Sequence, residues 1–262
     1  MSLKPEQVER YARHLVLKEI GGPGQAALLQ SSVLIVGAGG LGAPVALYLA
    51  AAGIGRIGLI DDDQISLSNL QRQILFTTGM TGCSKVGMAA KRLAELNPDP
   101  VIETFDTRLT ADNAAEVLVD YEFILDGCDN FPTRFLVNQT CHTLGKTLIS
   151  GAVGRFDGQV SAHQSNPKPL KYDRVLPTPT ACYQCLVPGA PPDTETCEQV
   201  GVVGALTGII GSIMALEAIK LITGSGQSLL GRLLVWEGLA AKSRTLNLPA
   251  DPNCPVCGKS GA

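Results

Sequence analysis

A polar segment that follows an apolar strand contains most of the residues that could do chemistry. Residues 61–73 read DDDQISLSNLQRQ, and they come directly after the apolar residues IGLI at 57–60. Fixed arginine, lysine and amide donors stabilise the negative charge that builds on phosphoryl groups during transfer. Arg72 in this segment and Lys85 at the start of the next predicted helix can therefore reach one anion. A solvated loop in which Arg72 pairs with Asp62 or Asp63 is the alternative interpretation.

A glycine-rich turn stands between the apolar strand predicted at 32–36 and the helix predicted at 41–52. It reads GAGGLG at 37–42. Glycines let the backbone approach a ligand closely, and a helix N-terminus offers free N–H groups to phosphate. Asp61 ends the next predicted strand, where a carboxylate can bind ribose hydroxyls. Because NAD, FAD and ATP binders all use such turns, the turn indicates a nucleotide without choosing among them.

Two C-x-x-C pairs among the eight cysteines indicate a metal site. They are CYQC, with Cys182 and Cys185, and CPVC, with Cys254 and Cys257. In a reducing compartment four such thiols predict a tetrahedral zinc site, the last pair having the form of a zinc knuckle. A redox pair or two disulfides are the alternatives, although redox chemistry typically uses one pair at a helix start and disulfides are rare in reducing compartments.

Cys197 stands apart from these pairs and precedes a helix predicted to begin near Glu198. A helix N-terminus stabilises a thiolate and so raises its reactivity. Cys197 is therefore a candidate nucleophile, with an inert thiol as the alternative. We expect Cys83, Cys128 and Cys141 to be small, buried or partly buried residues.

The elements that must position these groups alternate along the first part of the chain. Helices are predicted at 5–20, 24–30, 41–52, 84–96, 111–119 and 131–145, and strands at 32–36, 56–60, 101–105, 122–125 and 147–150. Such alternation predicts an α/β fold, a Rossmann-like mostly parallel sheet with helices on both faces. Ligands of these sheets bind beyond the carboxyl ends of the strands.

The second part of the chain has a different character. A strand is predicted at 159–163, a long proline-rich crossover at 166–197, and a C-terminal antiparallel extension with strands at 232–236 and 242–246. The apolar segment 200–216 has 17 uncharged residues, short for a bilayer, and Glu217 and Lys220 continue the same helix. We therefore predict a buried helix that packs closely through its glycines, which are Gly201, Gly204, Gly208 and Gly211.

Length and composition exclude several classes of protein. The chain has 262 residues, 45% of them hydrophobic, and a net charge of −3. Without a basic run there is no surface for nucleic-acid phosphates, and the N-terminus lacks the apolar segment of a signal peptide. We expect a cytoplasmic protein with neither a nucleic acid nor a membrane as partner. One domain over 1–262 is predicted, with N-terminal helices at 1–30, a nucleotide-binding core at 31–155 and the crossover, buried helix, C-terminal strands and zinc site at 156–262.

In their order along the chain, GAGGLG, DDD, LSNLQRQ, Lys85 and LDGCDN at 125–130 resemble the motifs of the ThiF/MoeB/HesA family, bacterial relatives of ubiquitin-activating enzymes. The resemblance runs from RYARH at 10–14 to CPVC at 254–257. Members of that family adenylylate the C-terminal glycine of a small ubiquitin-like sulfur carrier. The resemblance therefore implies an adenylyltransferase that uses ATP and Mg²⁺, contains structural Zn²⁺, forms a homodimer and acts on a carrier ending in Gly-Gly. No rhodanese-like domain follows, so we expect a separate sulfur donor protein.

The resemblance also implies roles for single residues. Gly40 matches the phosphate-turn glycine and Asp61 the ribose-binding acid. Asp129 matches the Mg²⁺ ligand, which suits a hard cation, with Asp126 as the second candidate. The residues expected at the nucleotide are Gly37, Gly39, Gly40, Gly42, Asp61, Asp63, Ser68, Asn69, Gln71, Arg72, Gln73, Lys85, Asp129 and Asn130.

The catalytic set implied by the resemblance has five members. Arg72 and Lys85 match the cations at the triphosphate, and Asp129 holds the metal. Arg13 matches an arginine that enters the partner subunit's site, as an arginine finger does; an ordinary surface charge is the alternative. Cys197 matches a cysteine that attacks the adenylated carrier or carries sulfur to it.

Three other functions remain open from the sequence. A tRNA threonylcarbamoyladenosine dehydratase shares the ATP site, although the paired C-x-x-C motifs fit that branch less well. An NAD-dependent oxidoreductase would have no need of LSNLQRQ and Lys85, and a non-catalytic module would have lost Arg72, Lys85 or Asp129. ILFTT, AVGRFDGQV and TCEQVGVVG resemble the thiamine branch more than the molybdopterin branch, but they leave the carrier undetermined.

Overall fold

The computed structural model describes residues 3–168, 179–190 and 201–258, and these ranges form one eight-stranded sheet. The spatial order of the strands is β3-β2-β1-β4-β5-β6-β7-β8; the first five are parallel to one another and the last three are added antiparallel. The strands are β1 (Ser32–Val36), β2 (Arg56–Ile60), β3 (Val101–Phe105), β4 (Phe123–Asp126), β5 (Thr147–Gly154), β6 (Asp157–His163), β7 (Arg232–Glu237) and β8 (Lys242–Asn247). The predicted Rossmann-like sheet with an antiparallel extension is confirmed.

Helices cover both faces of this sheet, as the alternation predicts. They are α1 (Pro5–Arg10), α2 (Ala12–Leu15), α3 (Gly21–Gln30), α4 (Gly42–Ala52), α5 (Lys85–Leu96), α6 (Ala114–Val119), α7 (Phe131–Leu144), α8 (Tyr183–Leu186) and α9 (Gly204–Thr223). One apolar core lies between the sheet and α3, α4, α5 and α9. A second core lies on the other face, beneath α6 and α7.

Several element boundaries differ from the prediction, and three of these differences have a clear physical reason. The helix predicted at 5–20 is divided at Tyr11, whose buried side chain donates a hydrogen bond from its hydroxyl to Asp99 at 2.7 Å. The helix predicted to begin at 111 begins at Ala114, because Asn113 Oδ1 accepts from the Thr110 amide and holds a turn there. β5 continues to Gly154 because β6 supplies antiparallel hydrogen-bond partners for its last residues.

The apolar helix α9 is a core helix of this fold. By length and composition it could cross a membrane, but 56% of its apolar window is buried inside the protein. It packs across β5 and β6 and against α3 and α4. Ile210 lies over Gly158 and Met214 over Gly151, where any side chain on either strand glycine would clash. α9 therefore connects the parallel and antiparallel parts of the sheet.

The glycines of this segment do not all serve close packing. A Cβ on Gly211 would lie 2.5 Å from Pro44 Cγ, and one on Gly204 would lie 2.1 Å from the Gln71 carbonyl oxygen. A Cβ on Gly208 or Gly201 would meet no atom of the described residues within 4 Å. The prediction of close packing is thus confirmed for Gly204 and Gly211. Among the described residues it is wrong for Gly208, which has open space beside it, and for Gly201, where a positive φ of 75° favours glycine instead.

This contrast predicts opposite effects of one substitution at two positions of α9. Gly211→Ala should lower the free energy of unfolding by about 1–3 kcal/mol, because the methyl group is forced against α4. Gly208→Ala is the matched control and should raise it by up to about 1 kcal/mol through helix propensity. Urea unfolding at equal protein concentration measures both. Equal values for the two variants would contradict the packing described here.

Candidate active site

The predicted nucleotide residues converge on a cavity of about 370 Å³ at the carboxyl ends of the central strands. It lies beyond β1, β2 and β4, where a doubly wound sheet binds its ligands. The predicted residues that line it are Gly37, Gly39, Gly40, Asp61, Asp63, Asn69, Arg72, Gln73, Lys85, Asp129 and Asn130. Gly42, Ser68 and Gln71 were predicted with them but do not line it.

The glycine turn has the conformation that its sequence requires. Gly37 has a φ of 89°, a left-handed conformation that favours glycine. A Cβ on Gly42 would lie 1.9 Å from the Gly37 carbonyl oxygen, so Gly42 closes the turn from inside rather than facing the cavity. Gly39 and Gly40 remain on the cavity side, where their backbone can approach a phosphate.

The Asp61 carboxylate joins the glycine turn to the acidic segment. Its Oδ2 accepts from the Ala38 amide at 2.8 Å, and its Oδ1 accepts from the Asp63 amide at 2.9 Å. Burial raises the pKa of Asp61, although Lys85 and these backbone donors act in the opposite direction. The carboxylate is therefore an internal support of the turn as well as a possible ligand for ribose.

Lys85 is a buried cation between two carboxylates. The residue is 4% exposed, and its Nζ lies 2.7 Å from Asp63 Oδ2 and 3.8 Å from Asp61 Oδ1. A buried charge is tolerated only when it is paired. The ammonium group lies at the cavity wall, so an incoming phosphate can replace Asp63 as its partner.

Arg72 does not form the ion pair with Asp62 or Asp63 that was the alternative interpretation of this segment. Asp62 pairs with Arg108 at 3.2 Å and Asp63 pairs with Lys85. Arg72 instead donates from Nη1 to the Ser68 carbonyl at 3.1 Å, so no carboxylate of the DDD segment neutralises it. Its guanidinium group is thus placed at the cavity with its charge available to an anion.

Two neighbours of Arg72 differ from the prediction in position. Ser68 and Gln71 are exposed, and the Gln71 backbone packs against Gly204 at the start of α9. Gln73 is buried at the cavity wall, and its Oε1 has no hydrogen-bond partner within the described residues. Gln73 is therefore part of the cavity wall, with a buried amide oxygen.

The loop at 127–130 forms the opposite wall. Asp129 is exposed at the cavity, while Asn130 caps α7 by accepting from the Thr133 amide at 2.9 Å. Asp126, the second candidate for the metal, is 1% exposed and accepts hydrogen bonds from Arg134, Ser150 and the Cys128 amide. Asp129 is therefore the carboxylate of this loop that can offer oxygen to a cation.

The lining residues that sequence reasoning missed include two arginines and a threonine. These three are Arg108, which follows β3, Arg134 on α7 and Thr207 on α9. The sequence could have identified Arg108, because this residue follows a predicted strand that ends at the same edge of the sheet. The sequence could not have identified Thr207, because only the packing of α9 brings its side chain within reach of Gly40.

The remaining candidates lie away from the cavity or outside the described residues. Arg13 is exposed on α2 and does not line the cavity of its own chain. Cys197 lies outside the described residues. Cys128 lines the cavity, but burial and the Asp126 carboxylate raise its pKa, so it is a thiol at neutral pH. Cys83 is exposed, contrary to expectation, whereas Cys141 is buried.

The two C-x-x-C pairs meet to form a four-thiol centre, which consists of Cys182, Cys185, Cys254 and Cys257. All four sulfurs lie within 4.8 Å of one another, and the Sγ to Sγ distances include 3.5 Å for Cys182 to Cys254 and 3.3 Å for Cys185 to Cys257. A tetrahedral zinc ion with bonds of about 2.3 Å places its sulfurs roughly 3.8 Å apart. The donor set therefore fits Zn²⁺.

Comparisons with known proteins agree with this geometry. The sequence model of the ThiF family matches residues 11–256. The chain is 44% identical to "Sulfur carrier protein adenylyltransferase" of Thermus thermophilus, covering 97% of this chain and 92% of the relative. It is 42% identical to "Adenylyltransferase and sulfurtransferase MOCS3" of Dictyostelium discoideum over 98% of this chain but only 59% of that protein. A crystal structure of E. coli MccB with MccA-N7isoASN shares the fold, with a TM-score of 0.80 and 24% identity over 95% of this chain and 75% of that one.

The four-thiol centre yields a prediction about metal content and stability. Cys257→Ser should lose most of the bound zinc and lower the free energy of unfolding by roughly 2–5 kcal/mol, as the loss of a long-range cross-link does. Elemental analysis and thermal unfolding measure the two effects. Cys83→Ser, at an exposed thiol outside the centre, is the control and should change neither. Full zinc retention in Cys257→Ser would contradict the four-ligand assignment.

Proposed function

The chain belongs to the ThiF family, and we propose that it adenylylates the C-terminal glycine of a ubiquitin-like sulfur carrier protein with ATP. One observation carries the proposal: the glycine turn, the cations Arg72 and Lys85 and the carboxylate Asp129 converge on one cavity. A turn alone would serve any nucleotide. The cations beside it serve a phosphoanhydride that is being cleaved.

The reaction that fits this cavity is attack of a carboxylate on the α-phosphorus of ATP. A carrier carboxylate oxygen forms the new bond to phosphorus, the bond to the bridging oxygen breaks, and pyrophosphate leaves with its electron pair. Arg72 and Lys85 offset the charge that grows on the phosphoryl oxygens. Asp129 would hold Mg²⁺, which neutralises phosphate charge when it is bound. The helix N-terminus after the turn orients the phosphates.

The ion pairs of Lys85 suggest how its partners change when a nucleotide binds. In the free protein the ammonium group neutralises Asp61 and Asp63. A triphosphate brings more negative charge than Asp63, which is exposed and can turn to solvent. Lys85 then contacts phosphate, while Asp61 keeps its backbone donors and remains available to ribose.

The position of Arg13 supports the proposal of a homodimer. A residue outside the cavity of its own chain can act there only when it comes from a second chain. Large apolar side chains are exposed directly after α2 and on α4 and α9; they include Val16, Tyr48, Ile209 and Leu216. α9 packs against both α3 and α4, and α2 packs against α3. We assign this surface to the partner subunit, whose Arg13 would complete the site.

Later steps rest on the family resemblance. Cys197 remains the predicted thiol for attack on the acyl-adenylate, and the sulfur is expected from a separate protein. The carrier belongs to thiamine or molybdopterin biosynthesis in this proposal, with the thiamine branch favoured by sequence motifs. An oxidoreductase would have no need of the cations at the cavity. The dehydratase alternative would share this ATP site, and the four-thiol centre built from the paired C-x-x-C motifs fits it less well.

Asp129 provides the direct test of the adenylylation chemistry. Asp129→Ala should reduce carrier-dependent ATP–pyrophosphate exchange by about 100-fold or more, because the metal loses its protein carboxylate. Glu95→Ala, at an exposed carboxylate on α5, should exchange like the wild type. Wild-type exchange in Asp129→Ala would remove this residue from the metal site, and absence of carrier-dependent exchange in the wild type would refute the function.

Complementation between two inactive variants tests Arg13. Arg13→Ala lacks the residue that it would give to its partner, and Arg72→Ala lacks a residue of its own site. Each should be inactive alone, whereas a re-equilibrated equal mixture should recover about one quarter of wild-type exchange, since half the dimers are mixed and each has one complete site. No recovery, despite mixed dimers in native mass spectrometry, would exclude action across the subunits.

A further inference from the structure

Helix α7 carries two buried polar residues on one side, and they contact different centres. Arg134 and Asn138 are separated by one helical turn and are therefore neighbours on its surface. Arg134 is 6% exposed and Asn138 is 2% exposed. Arg134 contacts the loop at 127–130, whereas Asn138 contacts the four-thiol centre. Neither contact is needed to form the helix.

The Arg134 guanidinium group ties the 127–130 loop to two strands. Nη2 donates to the Cys128 carbonyl at 2.6 Å and to the Gly151 carbonyl at 2.8 Å. Nη1 donates to Ser150 Oγ at 3.0 Å and to Asp126 Oδ2 at 3.3 Å. These contacts use all four terminal N–H groups, which only a guanidinium fork can place in this pattern. Arg134 therefore holds the backbone immediately before Asp129 in place.

Asn138 forms hydrogen bonds with Tyr183 and Cys182 at the four-thiol centre. Its Oδ1 accepts from the Tyr183 amide at 2.8 Å, and its Nδ2 lies 3.6 Å from Cys182 Sγ as a donor. A donor to a ligating sulfur orients the ligand and tunes its basicity. The position of Tyr183 is thus determined by its neighbour Cys182 and by α7 together.

Tyr183 completes the link between the two contacts. Its ring is 3% exposed, and the Arg134 guanidinium carbon lies 6.0 Å from the ring centroid. His163 packs edge-on against the same ring at 6.0 Å, and Phe135 lies at 6.3 Å. Because close-packed interiors transmit displacement, a movement of this buried ring would disturb Arg134.

From this continuous set of contacts we propose that α7 couples the four-thiol centre to the Asp129 loop, with Arg134 as the positioning residue. Zinc holds Cys182, Cys182 and Asn138 place Tyr183, and Tyr183 supports the guanidinium group that holds the backbone before Asp129. The zinc centre then determines how well the metal and the phosphates are bound, in addition to holding the chain's C-terminal segment. The inference rests on the proposed function for the role of Asp129, but the coupling itself is a property of the free protein.

Hydrogen–deuterium exchange of the nucleotide-free protein tests the positioning role without using activity. Arg134→Lys keeps the charge but loses the fork, so deuterium uptake should rise in peptides covering 126–131 and stay unchanged in α5. The Mg²⁺ concentration for half-maximal ATP–pyrophosphate exchange should rise about 10-fold, within the range typical of residues that support a metal ligand. Arg92→Lys, at an exposed ion pair on α5, is the control. Unchanged loop uptake, or an equal rise in α5, would overturn the positioning role.

Tyr183→Leu tests the connection to zinc while leaving all four thiols in place. It should retain zinc, raise uptake at 126–131 and raise the Mg²⁺ requirement about 3-fold or more, and its effect should be less than additive in free energy with Arg134→Lys. Cys257→Ser should raise the same loop uptake, whereas Cys83→Ser should not. Full additivity, or a loop unaffected by zinc loss, would refute the coupling. A wild-type protein without exchange activity would refute the proposed function alone, since the uptake measurements would still decide the coupling.

Discussion

The buried ammonium group of Lys85 is the interaction on which the site depends. Two carboxylates pair with it at the end of β2, Asp63 at 2.7 Å and Asp61 at 3.8 Å, and a buried ammonium group is tolerated only when it is paired. Asp61 in turn holds the glycine turn through the Ala38 amide. One ion-pair cluster therefore holds the glycine turn in the free protein, and in the proposed function its lysine is the cation that meets the nucleotide.

The direction of the strands explains why this cluster faces Asp129. The parallel strands β1, β2 and β4 all end at one edge of the sheet, so loops far apart in sequence meet there. α9 closes the third side, because its N-terminal turn packs on the Gln71 backbone and brings Thr207 beside Gly40. The cavity is thus built from the parallel half of the chain and covered by the first helix turn of the other half.

Helix α7 contacts the 127–130 loop through Arg134 and the four-thiol centre through Asn138. The four-thiol centre joins the short helix α8 to the C-terminal segment at 254–257, outside both apolar cores except for Tyr183. In a region with little apolar surface to bury, bonds from these four thiols to a zinc ion would replace packing as the source of order. Arg134 and Asn138 connect this region to the cavity edge of the sheet, so the four-thiol centre and the Asp129 loop are fixed to the same helix.

The sequence by itself determined the elements and the chemical types at the site, because both depend on local patterns. Apolar runs bounded by turns predicted β1, β2 and β3 at their observed bounds, and the motif residues at 37–40, 61 and 129 predicted a nucleotide edge. Only the tertiary structure decided the partners: that Lys85 pairs with Asp63, that Arg134 supports the Asp129 loop, and that Gly208 faces no neighbour while Gly211 contacts α4. These choices depend on which side chains the packing of distant elements brings within about 3 Å of each other, the range of a hydrogen bond, and no periodicity along the chain encodes that distance.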